Sequence, residues 1–453
     1  MATTLGNPAA KAGPITSGER ILYIDILRGM ALFGILAANM RGFSAPPTLY
    51  GNIRPLFHST PDLWAQGFID IFIQGKFVTL FSFLFGLGFA VQLSRAEARG
   101  AKFMSFYPRR LAALALFGVI HGLLIWWGDI LLTYALAGAL LLLFRKRGNK
   151  TLLWWSAGIF SLPILVISCL TILGLLNRGP FKPQPYHPFS LSRVTVWLWT
   201  YSRGTPVEIL KGNWHWWLGD SLPSQSFAIY ALCLFLAGLW VYRSGIVERL
   251  DEYKPLLQKI CMIALPAGIA ANAIVVWAQL QPPTGGPTLA GFIGNAFDLP
   301  SAHLLSLGYA TGLAVLIQNP VWLRRLKPFA AVGRMALTDY LMQSVLCTLF
   351  YYSYTTGLYG HVGPAWGLVP TIGLYGAQVV FSNWWLKRFR FGPMEWLWRG
   401  MTYGKFPDMH HEPVIEPTVS IIDPAPIEET GQEPLIAHDR ASEIGAGESG
   451  SVA

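Results

Sequence analysis

Two ionisable side chains eight residues apart give the sequence its clearest chemical signal. His121 and Asp129 lie in the apolar stretch HGLLIWWGDIL, which contains no other titratable group. Histidine is suited to proton transfer near neutral pH, and a carboxylate can orient its imidazole, as in acyl-transfer enzymes. A structural alternative stays open, in which the histidine packs inside the protein and the aspartate caps a helix.

Further polar side chains occur inside the first two apolar segments, where an ionisable group indicates either pairing or function. Asp25 and Arg28 are three residues apart, so they lie on one helical face and are predicted to form an ion pair. Asn39 lies three turns further along, and Asp70 and Lys76 are predicted to pair with other helices. The charged residues are candidate substrate-binding groups, and their structural alternatives are ion pairing and anchoring to lipid headgroups.

Ten apolar segments position these residues, and most are long enough to cross about 30 Å of hydrocarbon. They fall at 22–43, 67–93, 110–127, 130–144, 152–176, 226–242, 260–280, 301–318, 335–354 and 366–387. The third and fourth are separated only by Gly128 and Asp129, which predicts a tight helical hairpin. The chain is 53% hydrophobic and 13% charged, against about 25% charged residues in soluble domains. The predicted fold class is all-α, a polytopic membrane bundle of about ten transmembrane helices.

The charges of the connecting loops predict the orientation of this bundle. Alternate loops carry clusters of arginine and lysine, whereas the opposite short loops carry few. The basic clusters lie at 95–110, 145–150, 243–259, 324–334 and 387–390. By the positive-inside rule these loops are cytoplasmic, and an even number of helices places both termini there as well. Asn39, His121 and Asp129 are then predicted to lie in the outer half of the membrane.

Three segments outside the apolar helices have a distinct composition. Residues 1–20 lack the apolar core of a signal peptide and are predicted to be a disordered arm before a membrane domain at 21–405. A long outer loop at 177–225 contains an aromatic run at 214–217, which predicts a helix in the membrane interface. Residues 406–453 carry ten acidic side chains and one arginine, which predicts a disordered acidic tail.

The composition also argues against two other classes of protein. The formal net charge is +10, but the tail contributes −9 and the remaining surplus lies in the short basic loops. The predicted partners are therefore membrane lipids and not nucleic acid. The four cysteines lie in apolar stretches without the spacing of metal ligands, so we predict no metal site.

Two later motifs carry charges near the predicted cytoplasmic ends of helices. In GRMALTDY, Arg334 and Asp339 are expected to pair with each other or with lipid headgroups. In GPMEWLWR, Glu395 and Arg399 are four residues apart with tryptophans between them, which predicts an interfacial anchoring helix without a catalytic role.

Five ordered strings resemble the YeiB-like bacterial membrane proteins, the family of domain of unknown function 418. They are DILRGMALFGILAANM, KFVTLFSFLFGLGFA, HGLLIWWGDILLTYALAG, GRMALTDYLMQSVLCTLFYY and GPMEWLWR. The resemblance covers nearly the whole chain except the first twenty residues and the acidic tail. One departure is Asp339, where the family usually has asparagine. The resemblance implies a multi-pass protein of the bacterial cytoplasmic (inner) membrane, related to the transmembrane acyltransferase superfamily.

That superfamily includes enzymes that take an acyl group from a cytoplasmic donor and acylate a sugar on the far side. The resemblance therefore implies acyl-CoA as co-substrate and an outer-face acceptor that is a sugar or another cell-envelope component. In acyltransferase-3 enzymes a catalytic histidine follows the arginine of the first helix, and that position here is Asn39. His121 is accordingly the first choice for the catalytic base, oriented by Asp129, with Asn39 donating to the oxyanion. His58, in the following outer segment, is the second choice, and Arg28 would attract a CoA phosphate.

Two other functions stay open at this point. The first is a transporter or channel for a small polar solute, with a polar path lined by Asp25, Asp70, Lys76, His121 and Asp339. The second is a membrane protein without turnover. Convergence of Asn39, His121 and Asp129 in one outer pocket would favour the enzyme, whereas a continuous polar file from Asp25 to Asp129 would favour transport. The oligomeric state stays open.

Overall fold

The computed structural model describes residues 21–49, 53–176, 191–221, 227–281 and 288–410. Regular structure in these residues is helical, apart from one isolated antiparallel bridge between Phe389 and His410. The α-helices are, in chain order, α1 (Leu22–Ser44), α2 (Thr60–Phe72), α3 (Lys76–Ala98), α4 (Tyr107–Ile120), α5 (Leu131–Leu141), α6 (Asn149–Leu176), α7 (Leu191–Arg203), α8 (Pro206–Trp216), α9 (Phe227–Arg243), α10 (Lys254–Gln279), α11 (Leu289–Ala296), α12 (Asp298–Leu316), α13 (Pro320–Leu326), α14 (Phe329–Arg334), α15 (Ala336–Tyr351), α16 (Pro364–Arg388) and α17 (Pro393–Tyr403). The prediction of an all-α fold is confirmed.

Length and apolar composition identify these helices as those of a polytopic membrane protein. Six stretches are long and apolar enough to cross a membrane: Leu22–Ser44, Thr60–Ala98, Phe103–Ile125, Asn149–Leu173, Lys254–Gln279 and Asp298–Leu316. Along α6, large side chains such as Trp154, Leu162 and Leu165 are exposed, as expected where a helix faces lipid. Each of the ten predicted segments coincides with helical structure, and the number that cross the membrane stays a prediction.

Helix α1 lies at the centre of the bundle and contacts α3, α12, α14, α15 and α16. Its crossing with α14 depends on two glycines. A Cβ added at Gly29 would lie 2.0 Å from the Phe329 carbonyl oxygen, and one at Gly333 would lie 1.9 Å from the Asp25 carbonyl oxygen. The two backbones are therefore in direct contact, which places the start of α15 near the first third of α1.

The segment predicted as one helix at 67–93 is two helices, so that prediction was wrong in detail. Helix α2 ends at Phe72 and α3 begins at Lys76, and Gly75 between them has φ +81°. This left-handed conformation is readily adopted only by glycine. Across the break, the Lys76 ammonium donates to the Asp70 carbonyl oxygen at 2.6 Å. The apolar composition of segment 67–93 continues through Gly75. Composition alone therefore could not predict that the helix is interrupted there.

Helices α4 and α5 form the predicted hairpin, but the connection between them is longer than two residues. A π-helical turn, His121–Ile125, ends α4, and the chain stays irregular until Leu131. Helix α4 has 14 residues and α5 has 11, which correspond to about 21 Å and about 17 Å. The π turn continues α4 to Ile125, within the stretch Phe103–Ile125 that is long enough to cross a membrane. His121 is the first residue of this turn, so it lies before the far end of that stretch.

Helices α7 and α8, which belong to the predicted outer loop, cover this turn. A Cβ at Gly122 would lie 2.0 Å from Trp217 Nε1, so the tryptophan rests directly on the turn. The Asn213 amide donates to the Ile125 carbonyl oxygen at 3.3 Å, and the rings of Trp127 and Trp197 lie 5.8 Å apart. We call residues 191–221 the aromatic cover. The rest of the predicted loop, 177–190 and 222–225, lies outside the described residues.

The predicted arm at 1–20 and most of the predicted tail lie outside the described residues as well. Residues 406–410 are described, and they pack on the preceding helix. The Phe406 and Trp396 rings lie 4.5 Å apart, and the Trp396 indole donates to the Pro407 carbonyl oxygen at 2.7 Å. The structured part of the chain thus extends a few residues past the boundary predicted at 405.

Candidate active site

The π turn after α4 brings His121 against Asp129. His121 Nδ1 lies 3.0 Å from Asp129 Oδ1, and the two side chains are 0% and 1% exposed. The second carboxylate oxygen of Asp129 accepts a hydrogen bond from the Leu132 amide at 2.9 Å, in the first turn of α5. Asp129 therefore caps a helix and contacts the imidazole at the same time, which joins the two interpretations that the sequence left open.

The other imidazole nitrogen has no partner. His121 Nε2 is buried and makes no hydrogen bond to any described residue. When Nδ1–H donates to the carboxylate, a neutral imidazole has a free lone pair on Nε2, and this nitrogen can accept a proton. A buried polar atom without a partner costs about 1–3 kcal/mol, so this site is suited to an incoming polar group.

Tyr340, on α15, is an aromatic neighbour of the imidazole and was not recognised as a site residue from the sequence. Its ring lies 5.1 Å from the His121 ring, and its buried hydroxyl faces the Ile130 backbone without a hydrogen bond of normal geometry. Trp126 borders the imidazole on another side, with ring centroids 6.3 Å apart. The Trp126 indole N–H is also buried and has no partner among the described residues.

A cavity of about 240 Å³ includes Tyr340 and Ile130 in its lining, and we call the part of the cavity at these two residues its inner end. Its inner lining is mainly apolar and aromatic, and includes Leu84, Phe85, Leu114, Leu131 and Tyr134. Five arginines and two acids line the rest of it: Arg28, Arg95, Arg110, Arg334, Arg399, Asp25 and Glu395. We call the end of the bundle that carries these arginines the basic end. Tyr340 lines the cavity and also packs against His121. Its side chain therefore lies between the cavity and the imidazole.

The two acids of the cavity are both engaged within the protein. The predicted pair forms between Asp25 and Arg28, with 3.1 Å from the Asp25 carboxylate to the guanidinium. Glu395 accepts from the Leu337 and Thr338 amides at 2.7 and 3.1 Å, and from the Thr338 hydroxyl at 2.6 Å. Glu395 therefore caps the start of α15.

Through this cap, α17 supports the start of α15. Arg399, four residues after Glu395, donates to the Glu395 backbone oxygen at 3.3 Å. The Arg399 guanidinium lies over the Phe391 ring, 4.3 Å from its centroid. The neighbouring Arg110 guanidinium lies over Trp398, 3.4 Å from the ring centroid. Helix α17 thus supports the rim of the cavity, which the interpretation of α17 as a simple anchor missed.

Asp339 also differs from the expectation that it pairs with Arg334 or with lipid headgroups. It is fully buried and accepts a hydrogen bond from the Ser382 hydroxyl at 2.9 Å. The Gln378 amide donates to the Asp339 backbone oxygen at 2.8 Å. Asp339 therefore joins α15 to α16 within the bundle and does not line the cavity.

Neither Asn39 nor His58 has a described contact with the imidazole. Asn39 is half-buried, and its side chain makes no hydrogen bond to a described residue. Four residues after Asn39, the Phe43 ring packs on the Trp126 ring with centroids 4.2 Å apart. The described contact of α1 near the π turn is therefore made by an aromatic ring. His58 is exposed just before α2, with no described contact to His121. The expected convergence of Asn39 with the His–Asp pair is therefore not seen among the described contacts.

Asp70 and Lys76 form a second polar cluster at the other end of α1. The Arg41 guanidinium donates to Asp70 at 2.9 Å and to Gln74 at 2.7 Å, so Asp70 pairs with another helix as predicted. Lys76, 2% exposed, begins α3 and donates to the Asp70 backbone oxygen on α2, across the helix break. Arg28 and Arg41 are thirteen residues apart, about 20 Å along α1. The predicted substrate-binding residues therefore divide between two places.

The cavity has the chemistry of a site for an anionic molecule with an apolar extension. Arginine binds phosphate and carboxylate groups in a bidentate manner, and the inner lining offers apolar contact. Among the described residues, no three histidine, cysteine, aspartate or glutamate side chains are grouped as a metal site would require.

Comparison with known proteins gives this arrangement a family. Residues 241–405 match the model described as "Protein of unknown function (DUF418)". The chain is 36% identical over 413 residues to the "Uncharacterized protein YxaH" of Bacillus subtilis (strain 168), covering 86% of this chain and 96% of the relative. It is 30% identical over 399 residues to the "Uncharacterized protein YeiB" of Escherichia coli (strain K12), covering 85% and 96%. A Bacillus acidopullulyticus protein, "Uncharacterized 39.9 kDa protein in amylase 3'region", is 30% identical over 405 residues, covering 87% and 97%. Similarity over nearly the full length of these bacterial relatives shows that this chain belongs to the DUF418 family of YeiB-like membrane proteins.

Proposed function

We propose that this chain is a membrane-embedded acyltransferase. It takes an acyl group from acyl-CoA at the basic end and transfers it to an acceptor that enters from the opposite side. One juxtaposition supports the proposal: His121, with an unpaired Nε2, lies against Tyr340 at the inner end of an arginine-lined cavity. By the positive-inside rule the basic end is cytoplasmic, in the compartment of the expected acyl-CoA donor.

The lining of the cavity suits the two parts of an acyl-CoA molecule. Five arginines against two acids that are engaged within the protein give an excess of positive charge for the CoA phosphates. The mainly apolar inner lining suits the acyl end of the donor. In this arrangement the thioester reaches Tyr340 and Ile130, next to the imidazole. Arg28, predicted from the sequence to attract a CoA phosphate, lies in this lining.

The proposed reaction uses His121 as a general base and then as a general acid. Nε2 removes the proton from the attacking group of the acceptor, which forms a bond to the thioester carbonyl carbon. Asp129 stabilises the imidazolium that results and keeps Nδ1–H directed toward itself. When the carbon–sulfur bond breaks, Nε2 returns the proton to the leaving CoA thiolate. The products are acylated acceptor and free CoA, and the imidazole is neutral again.

The acceptor approaches from the side of the aromatic cover. Trp126 and Trp217 enclose the turn there, so a conformational opening of residues 191–221 would admit the acceptor. We propose a sugar or another cell-envelope component as acceptor, and a position in the bacterial cytoplasmic membrane.

A transfer assay tests this proposal directly. Purified full-length protein is incubated with [14C]acetyl-CoA and candidate sugars, beside His121→Ala, Asp129→Asn and His58→Ala variants. His361→Ala is the matched control, because this histidine is exposed. We expect transfer by the wild type, His58→Ala and the control, and a loss of at least 100-fold in the other two. Absence of transfer to any acceptor, or undiminished transfer by His121→Ala, would refute the mechanism.

A transport function is the second candidate, and the broken helix at Gly75 favours it. Transporters place substrates at interrupted helices, and Lys76 and Asp70 lie at this interruption. The Asp70 carboxylate pairs with Arg41, and the Lys76 ammonium donates to the Asp70 backbone oxygen, so both groups are engaged within the protein. Uptake of labelled solutes into proteoliposomes that is lost in Lys76→Met and retained in His121→Ala would support transport over acyl transfer.

A further inference from the structure

Three buried polar groups around the imidazole define what the acceptor atom must offer. His121 Nε2 is a hydrogen-bond acceptor when the ring is neutral, whereas the Trp126 indole N–H and the Tyr340 hydroxyl are donors. All three residues are buried: His121 is 0%, Trp126 is 3% and Tyr340 is 5% exposed. Nε2 and the indole N–H have no hydrogen-bond partner among the described residues. The Tyr340 oxygen faces the Ile130 backbone N–H, which leaves the Tyr340 O–H available to donate. The rings of Trp126 and Tyr340 both border the imidazole, at 6.3 and 5.1 Å.

We infer that the acceptor atom is the oxygen of an alcohol, so that this chain is an O-acyltransferase. A hydroxyl group has one hydrogen to donate and two lone pairs to accept with. It can therefore donate to His121 Nε2 and accept from Trp126 and Tyr340, which satisfies all three groups with one atom. This inference rests on the proposed function, because it concerns the acceptor of the same transfer.

Other nucleophiles satisfy the same groups less well. A neutral amine has one lone pair, so it leaves one of the two donors unpaired, and its protonated form has none. A thiol is only a weak donor and a weak acceptor. A site with buried polar groups discriminates strongly against a molecule that leaves one of them unpaired.

The transfer step balances with an alcohol acceptor. The lone pair that accepted from Tyr340 forms the bond to the thioester carbonyl carbon, while the other lone pair still accepts from Trp126. The hydroxyl proton passes to His121 Nε2, and the carbon–sulfur bond breaks. The proton then passes from Nε2 to the CoA sulfur. An ester and free CoA result, and no oxidant, reductant or metal takes part. Tyr340, at the inner end of the cavity and beside His121, can contact both the alcohol oxygen and the acyl donor.

The chemical nature of the product tests this inference. Full-length protein is incubated with [14C]acetyl-CoA and either methyl glucoside, which offers only hydroxyls, or glucosamine, which offers both hydroxyls and an amine. The reaction is stopped in acid, which prevents migration of the acyl group from oxygen to nitrogen. The remaining free amine is blocked by reductive methylation at mildly acidic pH, and alkaline hydroxylamine then cleaves oxygen esters and leaves amides intact. We expect labelled products from both sugars and release of the label from both by hydroxylamine.

Two conservative variants test the groups themselves. Trp126→Phe and Tyr340→Phe keep the rings and remove one donor each, and we expect kcat/KM for methyl glucoside to fall about tenfold in each. Trp366→Phe is the matched control, because this tryptophan is 73% exposed on α16, outside the aromatic cover. Thermal midpoints and stabilisation by CoA, measured on every variant, show whether the fold and the donor site are intact.

The possible outcomes separate this inference from the proposed function. A hydroxylamine-resistant product from glucosamine, without transfer to methyl glucoside, would overturn the alcohol acceptor and leave acyl transfer standing. Release of label only as free acetate would also overturn it, because water would then be the acceptor. Unchanged kcat/KM in both variants would overturn the role of the two donors. If acetyl-CoA is not consumed under any condition, the proposed function itself fails.

Discussion

Replacing Asp129 by asparagine separates the two contacts of its carboxylate. In the native site one oxygen faces His121 Nδ1 at 3.0 Å and the other accepts from the Leu132 amide at 2.9 Å. Asparagine has a single side-chain oxygen. If this oxygen keeps the helix cap at Leu132, the amide NH₂ faces His121 and donates to Nδ1. The imidazole then carries its proton on Nε2 and can no longer act as a base.

We expect Asp129→Asn to have a large effect on activity and a small effect on the free energy of unfolding. A histidine held in the wrong tautomer loses up to about 10⁴-fold in rate in enzymes of this kind, so we expect a loss of about 10²–10⁴-fold. The cap is retained and one hydrogen bond is exchanged for another, so the free energy of unfolding should change by about 1 kcal/mol. Asp129→Ala leaves both the imidazole N–H and the Leu132 amide unpaired, which costs about 2–6 kcal/mol at about 1–3 kcal/mol per buried group.

Two measurements on the same preparations decide the matter. Single-turnover transfer from labelled acetyl-CoA gives the chemical rate, and thermal unfolding in detergent gives the relative stability. We expect Asp129→Asn to be inactive and nearly as stable as the wild type, and Asp129→Ala to be inactive and clearly less stable. A fully active Asp129→Asn protein would refute the orienting role of the carboxylate. An Asp129→Asn protein as unstable as Asp129→Ala would show that the contact is structural only.

Three further predictions follow from the cavity and the helix contacts. CoA should raise the thermal midpoint of the wild type at low salt, and Arg110→Gln should weaken CoA binding about tenfold, with the difference shrinking at high salt. Gly333→Ala should reduce the free energy of unfolding by about 1–3 kcal/mol because its Cβ would meet the backbone of α1, whereas Gly373→Ala, which has nothing within 4 Å, should not. Glu395→Gln should lower the thermal midpoint, because the charged acceptor of two α15 amides becomes neutral, at a cost of about 1–3 kcal/mol. A midpoint in Glu395→Gln equal to that of wild type would show that the cap does not depend on charge.

The hairpin was predictable because its signals are local. His121 and Asp129 are eight residues apart on either side of a turn, so a hairpin brings them together in almost any packing of the bundle. The apolar segments are likewise recorded in composition, and all ten coincide with helical structure. The longer turn was not predicted, because a π turn at the end of a helix has the same apolar composition as the helix itself.

The cavity was not predictable, because it is built from residues far apart in the chain. Tyr340 is one of many aromatic residues, and only the contact between α15 and the π turn makes it a neighbour of His121. Glu395 has an arginine four residues later, so a local rule predicts a pair, yet the start of α15 offers two backbone amides and a hydroxyl instead. Several hydrogen bonds to one buried carboxylate stabilise it more than one exposed ion pair does.

The short hairpin offers a physical reason for an imidazole deep within the bundle. A site at either membrane surface would need one of the two substrates to cross the whole hydrocarbon layer. With α4 about 21 Å long, His121 lies roughly two-thirds of the way across a ~30 Å layer from the start of that helix. The cavity covers much of this depth from the basic end, and Tyr340 stands between its inner end and the imidazole. In the proposed reaction the charged part of the donor therefore stays at the arginines, and only the acyl group passes Tyr340. Because an acetyl group is small and uncharged, that passage avoids the cost of moving a charged group through the membrane interior.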